Sequence, residues 1–202
     1  MRFVELFSET VWGLALTREK VDEYTKFIRH IKDTEYIYNY IYDHKQFLTN
    51  NPEFNGFTFQ EIIISAQREC RSFERYLKYL FCNGKKDAKP NFEDKFVLLD
   101  RYPRTEESKM RRKMYGKRKE FDQPPSVIRL YALRLHSKIP DGIPGYIVIG
   151  GGIKLCESTR NMGELEYFIK LYEGVQSFLK QHNINNKEEL IAHISNTHEK
   201  NS

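Results

Sequence analysis

Val127-Ile128-Arg129-Leu130-Tyr131-Ala132-Leu133-Arg134-Leu135 is apolar at all but two positions, and Tyr146-Ile147-Val148-Ile149 repeats that character. The stretch between them, Ser137 to Gly145, contains Pro140, Asp141-Gly142 and Pro144. Two strand-forming runs joined by turn-forming residues predict a β-hairpin. Gly150-Gly151-Gly152 continues the second run into Ile153-Lys154-Leu155. Glycines in the path of a strand predict a bulge or a close backbone approach, here one that aims Lys154. A second pair of strands is expected at the start of the chain. Phe3, Glu5 and Phe7 alternate with Val4 and Leu6, Ser8-Glu9-Thr10 forms a turn, and Val11 to Leu16 is a second run at the sheet's edge.

Between these hairpins the period changes from two to 3.6. Val21, Tyr24, Phe27, Ile28 and Ile31 are spaced for one helix, and Ile37, Tyr40 and Ile41 continue the pattern after a start signal at Asp33-Thr34. Asn50-Asn51-Pro52 stops it. Thr58 with Glu61 three residues later is a capping box for a long helix reaching Asn83-Gly84. A polar linker to Pro90 and a short helical turn over 91–99 come next. The stripe Leu165, Phe168, Ile169, Tyr172, Val175, Phe178, Leu179 predicts another long helix, and Lys187 to Ser195 spans a last short one.

The expected architecture is α+β: a small antiparallel sheet made of the N-terminal and C-terminal hairpins, packed with several α-helices. One domain is expected over 1–202, with 19–99 as a helical insertion and 100–126 as a basic loop. At 202 residues and 40% hydrophobic composition, the chain can bury a substantial core. No run is long and apolar enough for a transmembrane helix, and the N-terminus has no signal-peptide pattern, so a cytoplasmic protein with no membrane association is expected. Cys70, Cys82 and Cys156 form neither a disulfide framework nor a zinc motif, so reduced, mostly packed thiols are expected.

The net charge of +5 is unevenly distributed. Residues 101–120 hold nine basic residues against Glu106, Glu107 and Glu120, so the positive excess is local. Lys109, Arg111, Arg112, Lys113, Lys117, Arg118 and Lys119 form its centre. Such a segment is an electrostatic footprint for a polyanion or an acidic partner, although a solvated loop has the same composition.

Arginines inside the apolar strand are the sharper signal. Arg129, Tyr131, Leu133 and Leu135 share one face, and Ile128, Leu130, Ala132 and Arg134 share the other. A strand apolar on both faces is expected to be central and covered on both sides. Its arginines then require partners or a cleft. Arg129 with Tyr131 and Lys154 could bind a phosphate and stabilise its developing charge. The alternative is structural ion pairing with carboxylates such as Asp100 or Glu5. Of the six histidines none is paired at metal-ligand spacing, and His136, at the end of the first hairpin strand, is the acid/base candidate. The glycine run lacks the context of a phosphate-binding loop, and no cofactor or metal is expected. Tyr36, Tyr38, Tyr40 and Tyr42 splay around a helix and are read as core plus partner contact.

The strand carrying Arg129 and Arg134, the strand running from Tyr146 through Gly150-Gly151-Gly152 to Lys154, and the helix from Glu164 onward together resemble the RelE/ParE superfamily of bacterial type II toxins. That resemblance covers about half of the chain. The chain is about twice the usual length of those proteins, the helices over 19–99 standing as an insertion. Only Arg129, Arg134 and Lys154 are carried over, as basic strand residues. The resemblance implies a toxin-like, RNA-directed protein, with metal-independent, ribosome-dependent endoribonuclease activity as its catalytic form. RNA, the ribosome and an antitoxin-like protein are the implied partners. The alternative is a non-enzymatic module that binds an acidic protein or a topoisomerase.

Overall fold

A computed structural model describes residues 1–7, 9–17, 19–82, 124–140, 142–155 and 163–199. The basic segment 101–120, the linker to Pro90, the helical turn over 91–99 and Cys156 lie outside the described residues.

Both hairpins form. Strand β1 (Arg2–Phe7) pairs antiparallel with β2 (Val11–Ala15), with a register irregularity between Glu5 and Phe7. Strand β3 (Ile128–Leu135) pairs antiparallel with β4 (Gly145–Ile153) along its whole length. The two hairpins then join through β2 and β4 in the order β1-β2-β4-β3. That junction is parallel: Val11 pairs with Tyr146, Trp12 with Ile147 and Gly13 with Val148. The fold is therefore α+β, as the periodicities predict, with a mixed sheet in place of an all-antiparallel one. A parallel neighbour requires a long crossover, and the helical region between β2 and β4 supplies it.

The helices begin where the sequence offers side-chain caps. Helix α1 (Glu23–Lys32) starts at Asp22, whose carboxylate accepts hydrogen bonds from Thr25 N (2.9 Å) and Thr25 Oγ (2.7 Å). Asp33 separates α1 from α2 (Thr34–Asp43) and caps the latter through Glu35 N and Tyr36 N. A short helix α3 (Lys45–Thr49) and a 3-10 turn over Pro52–Phe54 follow. Asn51, buried at that turn, donates from Nδ2 to Leu155 O (3.1 Å) and ties the helical layer to the end of β4. The capping box of α4 (Phe59–Cys82) forms as predicted, with Thr58 N and Oγ donating to Glu61 Oε2 at 2.7 and 2.8 Å, and Glu61 N donating to Thr58 Oγ at 3.3 Å. The chain closes with α5 (Gly163–Gln181) and α6 (Lys187–Glu199).

Helix α1 lies on β2 and β4, with α2 and α4 packed against it, and α5 lies on β4 and β3. The glycines of β4 allow this double cover. A Cβ on Gly151 would meet the Phe27 ring of α1 at 2.7 Å, and one on Gly150 would meet the Phe168 ring of α5 at 2.2 Å. Every residue of β2 is buried, as are Gly145 to Gly150 of β4. The tyrosines of α2 do splay: Tyr40 is buried in the core, while Tyr38 and Tyr42 are exposed and pack edge-on against Phe59.

Among the described strands β3 lies at the edge of the sheet, in place of the central position expected for it. Its apolar second face reflects cover from above and below rather than lateral pairing. Tyr131, Leu133 and Leu135 are buried on one face, whereas Leu130 and Ala132 are half-buried on the other and Arg134 is exposed. The central places belong to β2 and β4, whose small residues let helices approach the backbone.

Candidate functional site

The start of β3 is held by α4. Glu69 Oε2 accepts a hydrogen bond from Val127 N (3.1 Å), and Glu69 Oε1 accepts from Ser126 Oγ. Arg129 folds back over this corner, its Nη1 donating to Ser126 O (3.0 Å), Ser126 Oγ (3.3 Å) and Ile128 O (2.8 Å). Ser126 and Ile128 are thus the acceptors of Arg129 among the described residues. Asp100 lies outside the described residues, and Glu5 instead accepts from Glu9 N.

Across the ladder, Arg129 faces Gly152, and Lys154 N donates to Val127 O (2.7 Å). Arg129 and Lys154 therefore occupy the same end of the β3-β4 hairpin. The predicted bulge is present: Tyr131 pairs with Gly150 and Ala132 with Val148, leaving Ile149 as the extra residue. Tyr131 follows Arg129 on the same face, but it is buried and its ring stacks on Phe168 at 5.7 Å. It serves the core.

His136 sits at the opposite end of the hairpin. Seven residue steps of extended chain separate it from Arg129, roughly 23 Å. Its carbonyl accepts from Lys187 N (2.9 Å), and the residue bridges Asn186 at the entry to α6. The four residues considered for catalysis are thus divided: Arg129, Tyr131 and Lys154 lie toward one end, and His136 lies apart from them.

Arg134 projects at the edge of the sheet, into an open groove of about 360 Å³ between β3 and the end of α5. Leu133, Tyr172, Gln176, Lys180 and Asn185 are among the residues that line it with Arg134. Gln176 Nε2 donates to Tyr172 Oη at 3.1 Å. Among the described residues the lining offers two cations, amides and a phenol, and no His, Asp, Glu or Cys. Such a surface is suited to holding an anion and lacks a side chain that exchanges protons near neutrality. Lys109, Arg111, Arg112, Lys113, Lys117, Arg118 and Lys119 lie outside the described residues.

Three contacts were not legible in the sequence. Glu69 meets Ser126 from 57 positions away. Lys180 and Tyr172 join Arg134 only because α5 crosses β3. His182, just beyond α5, approaches His193 of α6 with ring centroids 4.9 Å apart, and both rings contact Phe178. Burial, then the neighbouring His182 charge, lowers the His193 pKa below the usual imidazole value. Helical spacing placed neither histidine against the other, because their contact depends on how the chain turns between α5 and α6.

Among the described residues, no helix is long and apolar enough to cross a membrane, and no three His, Cys, Asp or Glu side chains gather as a metal-ligand set. Comparison with known proteins returned no matching family model, curated protein or solved structure.

Proposed function

We propose that the chain is a toxin-like, RNA-directed protein of the RelE/ParE kind whose phosphate-facing surface is the β3 edge. The observation that carries this reading is the exposed position of Arg134 in a groove shared with Lys180. β3 directly follows the segment that holds the chain's positive excess. Cations along an open strand edge would track a phosphate backbone, with affinity that falls steeply as salt rises. Arg129 and Lys154 would extend that surface along the hairpin, and an endoribonuclease activity would be metal-independent.

The test is a binding and cleavage series with a single-stranded RNA and a translating extract. Salt-dependent binding is expected, with Arg134→Ala and Lys180→Ala each weakening it a few-fold and flattening the salt slope. Cleavage by the wild-type chain that is lost in a folded Arg129→Ala variant would establish the nuclease form. Absence of both RNA binding and growth arrest on expression would overturn the reading.

The second reading is a non-enzymatic module for an acidic protein partner, such as an antitoxin or a topoisomerase. The separation of His136 from Arg129 and Lys154, and the burial of Tyr131, favour it. It predicts co-purification with an acidic partner and no RNA cleavage.

A further inference from the structure

We infer that His182 and His193 form an open binding site for a zinc-class divalent transition-metal ion, bridging the end of α5 to α6. The pair differs from the other described aromatic contacts made by histidine. His30 stacks on Tyr36 and His44 on Tyr40, whereas His182 and His193 lie against each other, with centroids 4.9 Å apart and planes inclined at 58°.

That separation fits two imidazoles sharing one ion. With a metal–nitrogen distance of about 2.05 Å and each ring centre about 1.2 Å behind its nitrogen, centroids on a tetrahedral ion lie about 5.3 Å apart, and at right angles about 4.6 Å. The observed spacing falls between these limits. Imidazole nitrogen suits zinc, copper and nickel and does not suit magnesium, which takes oxygen ligands.

The surroundings favour a cation. His182 follows the last residue of the 19-residue α5, where the helix dipole presents its negative end. Phe178 packs against both rings and restricts their orientations, with centroids at 4.3 Å from His182 and 5.7 Å from His193. His182 is exposed and His193 half-buried, so an ion would reach the pair from solvent. Water would complete the coordination, since no third His, Cys, Asp or Glu among the described residues joins them. The site is independent of the RNA reading: it lies on the α5-α6 connection and uses none of the β3 residues.

The test uses the full chain without a histidine tag, stripped of metal and titrated calorimetrically with Zn²⁺, and separately with Mg²⁺, at pH 7.5. One saturable Zn²⁺ site and no Mg²⁺ site are expected. His182→Ala and His193→Ala should each weaken Zn²⁺ binding at least about tenfold, and His44→Ala should leave it unchanged. In imidazole NMR spectra, the His182 and His193 nitrogens should shift on Zn²⁺ addition. If His193→Ala fails to fold, the exposed position 182 decides through His182→Ala and His182→Gln. Absence of saturable Zn²⁺ binding, equal binding of Mg²⁺, or Zn²⁺ affinity that survives loss of His182 would overturn the inference.

Discussion

Gly150 is the residue on which two layers of the molecule meet. Its φ of 142° lies in a region that side chains rarely adopt, and a Cβ there would lie 2.2 Å from the Phe168 ring. Phe168 in turn stacks on Tyr131. Gly150→Ala should therefore destabilise the fold by about 2 kcal/mol or more, read from urea unfolding. In the double variant with Phe168→Ala, the two costs should fall short of additive, because the collision is gone while the backbone strain remains. Cys70 makes a second residue-scale case. Burial, then the nearby Glu69 charge, pushes its thiol pKa up to about 12. The thiolate form is then negligible at pH 8. Iodoacetamide should leave the Cys70 peptide unmodified in the native chain and alkylate it in denaturant, as read by mass spectrometry.

At the scale of the element, β3 and β4 are neighbours with unequal protection. β4 is paired on both sides, by β2 and β3, and carries helices on both faces. β3 is paired to β4 alone among the described strands. Native-state hydrogen exchange should be slowest in β4 over 146–149, with the outward amides of β3 exchanging faster. The start of β3 depends on Glu69. Glu69→Ala removes the acceptor of Val127 N and Ser126 Oγ, which should cost about 1–2 kcal/mol and speed exchange at Val127. The capping box of α4 is separate from this contact and was readable in advance. Thr58→Ala should lower stability by about 1 kcal/mol.

For the whole molecule, acid sensitivity follows from the C-terminal helices. His193 has a lowered pKa in the fold, by burial and then by His182. The unfolded chain therefore takes up its proton first, and stability falls as pH drops through the unfolded value of about 6.5. The carboxylates behave in the matching sense. Hydrogen bonds from Lys138 N and Ser137 lower the Glu188 pKa, and bonds from Asn185 N and Asn186 lower that of Glu189. Their stabilisation is present above the unfolded value of about 4.5 and is lost as pH falls below it. In buffer containing EDTA, the melting temperature should be level from pH 8 to 7, fall below 6.5, and fall further below 4.5. His193→Gln should flatten the first decline and leave the second.

The local devices of this chain are written in its residues: alternation in β1, apolar runs in β2 to β4, the 3.6 period of the helices, Asp33 and Thr58 as caps, and a bulge at the glycines of β4. Each depends on interactions within a few positions, so spacing and residue type suffice to read it. The candidate site was legible only in part. Arg134 could be named from the strand, but Lys180 and Tyr172, 46 and 38 positions later, could not. What the tertiary structure alone decided is long-range. The parallel junction of β2 with β4 left β3 at the edge of the described sheet, with Arg134 exposed. A hydrophobic pattern specifies that a strand is covered, not which strand lies beside it, because covering by helices and lateral pairing remove the same apolar surface from water.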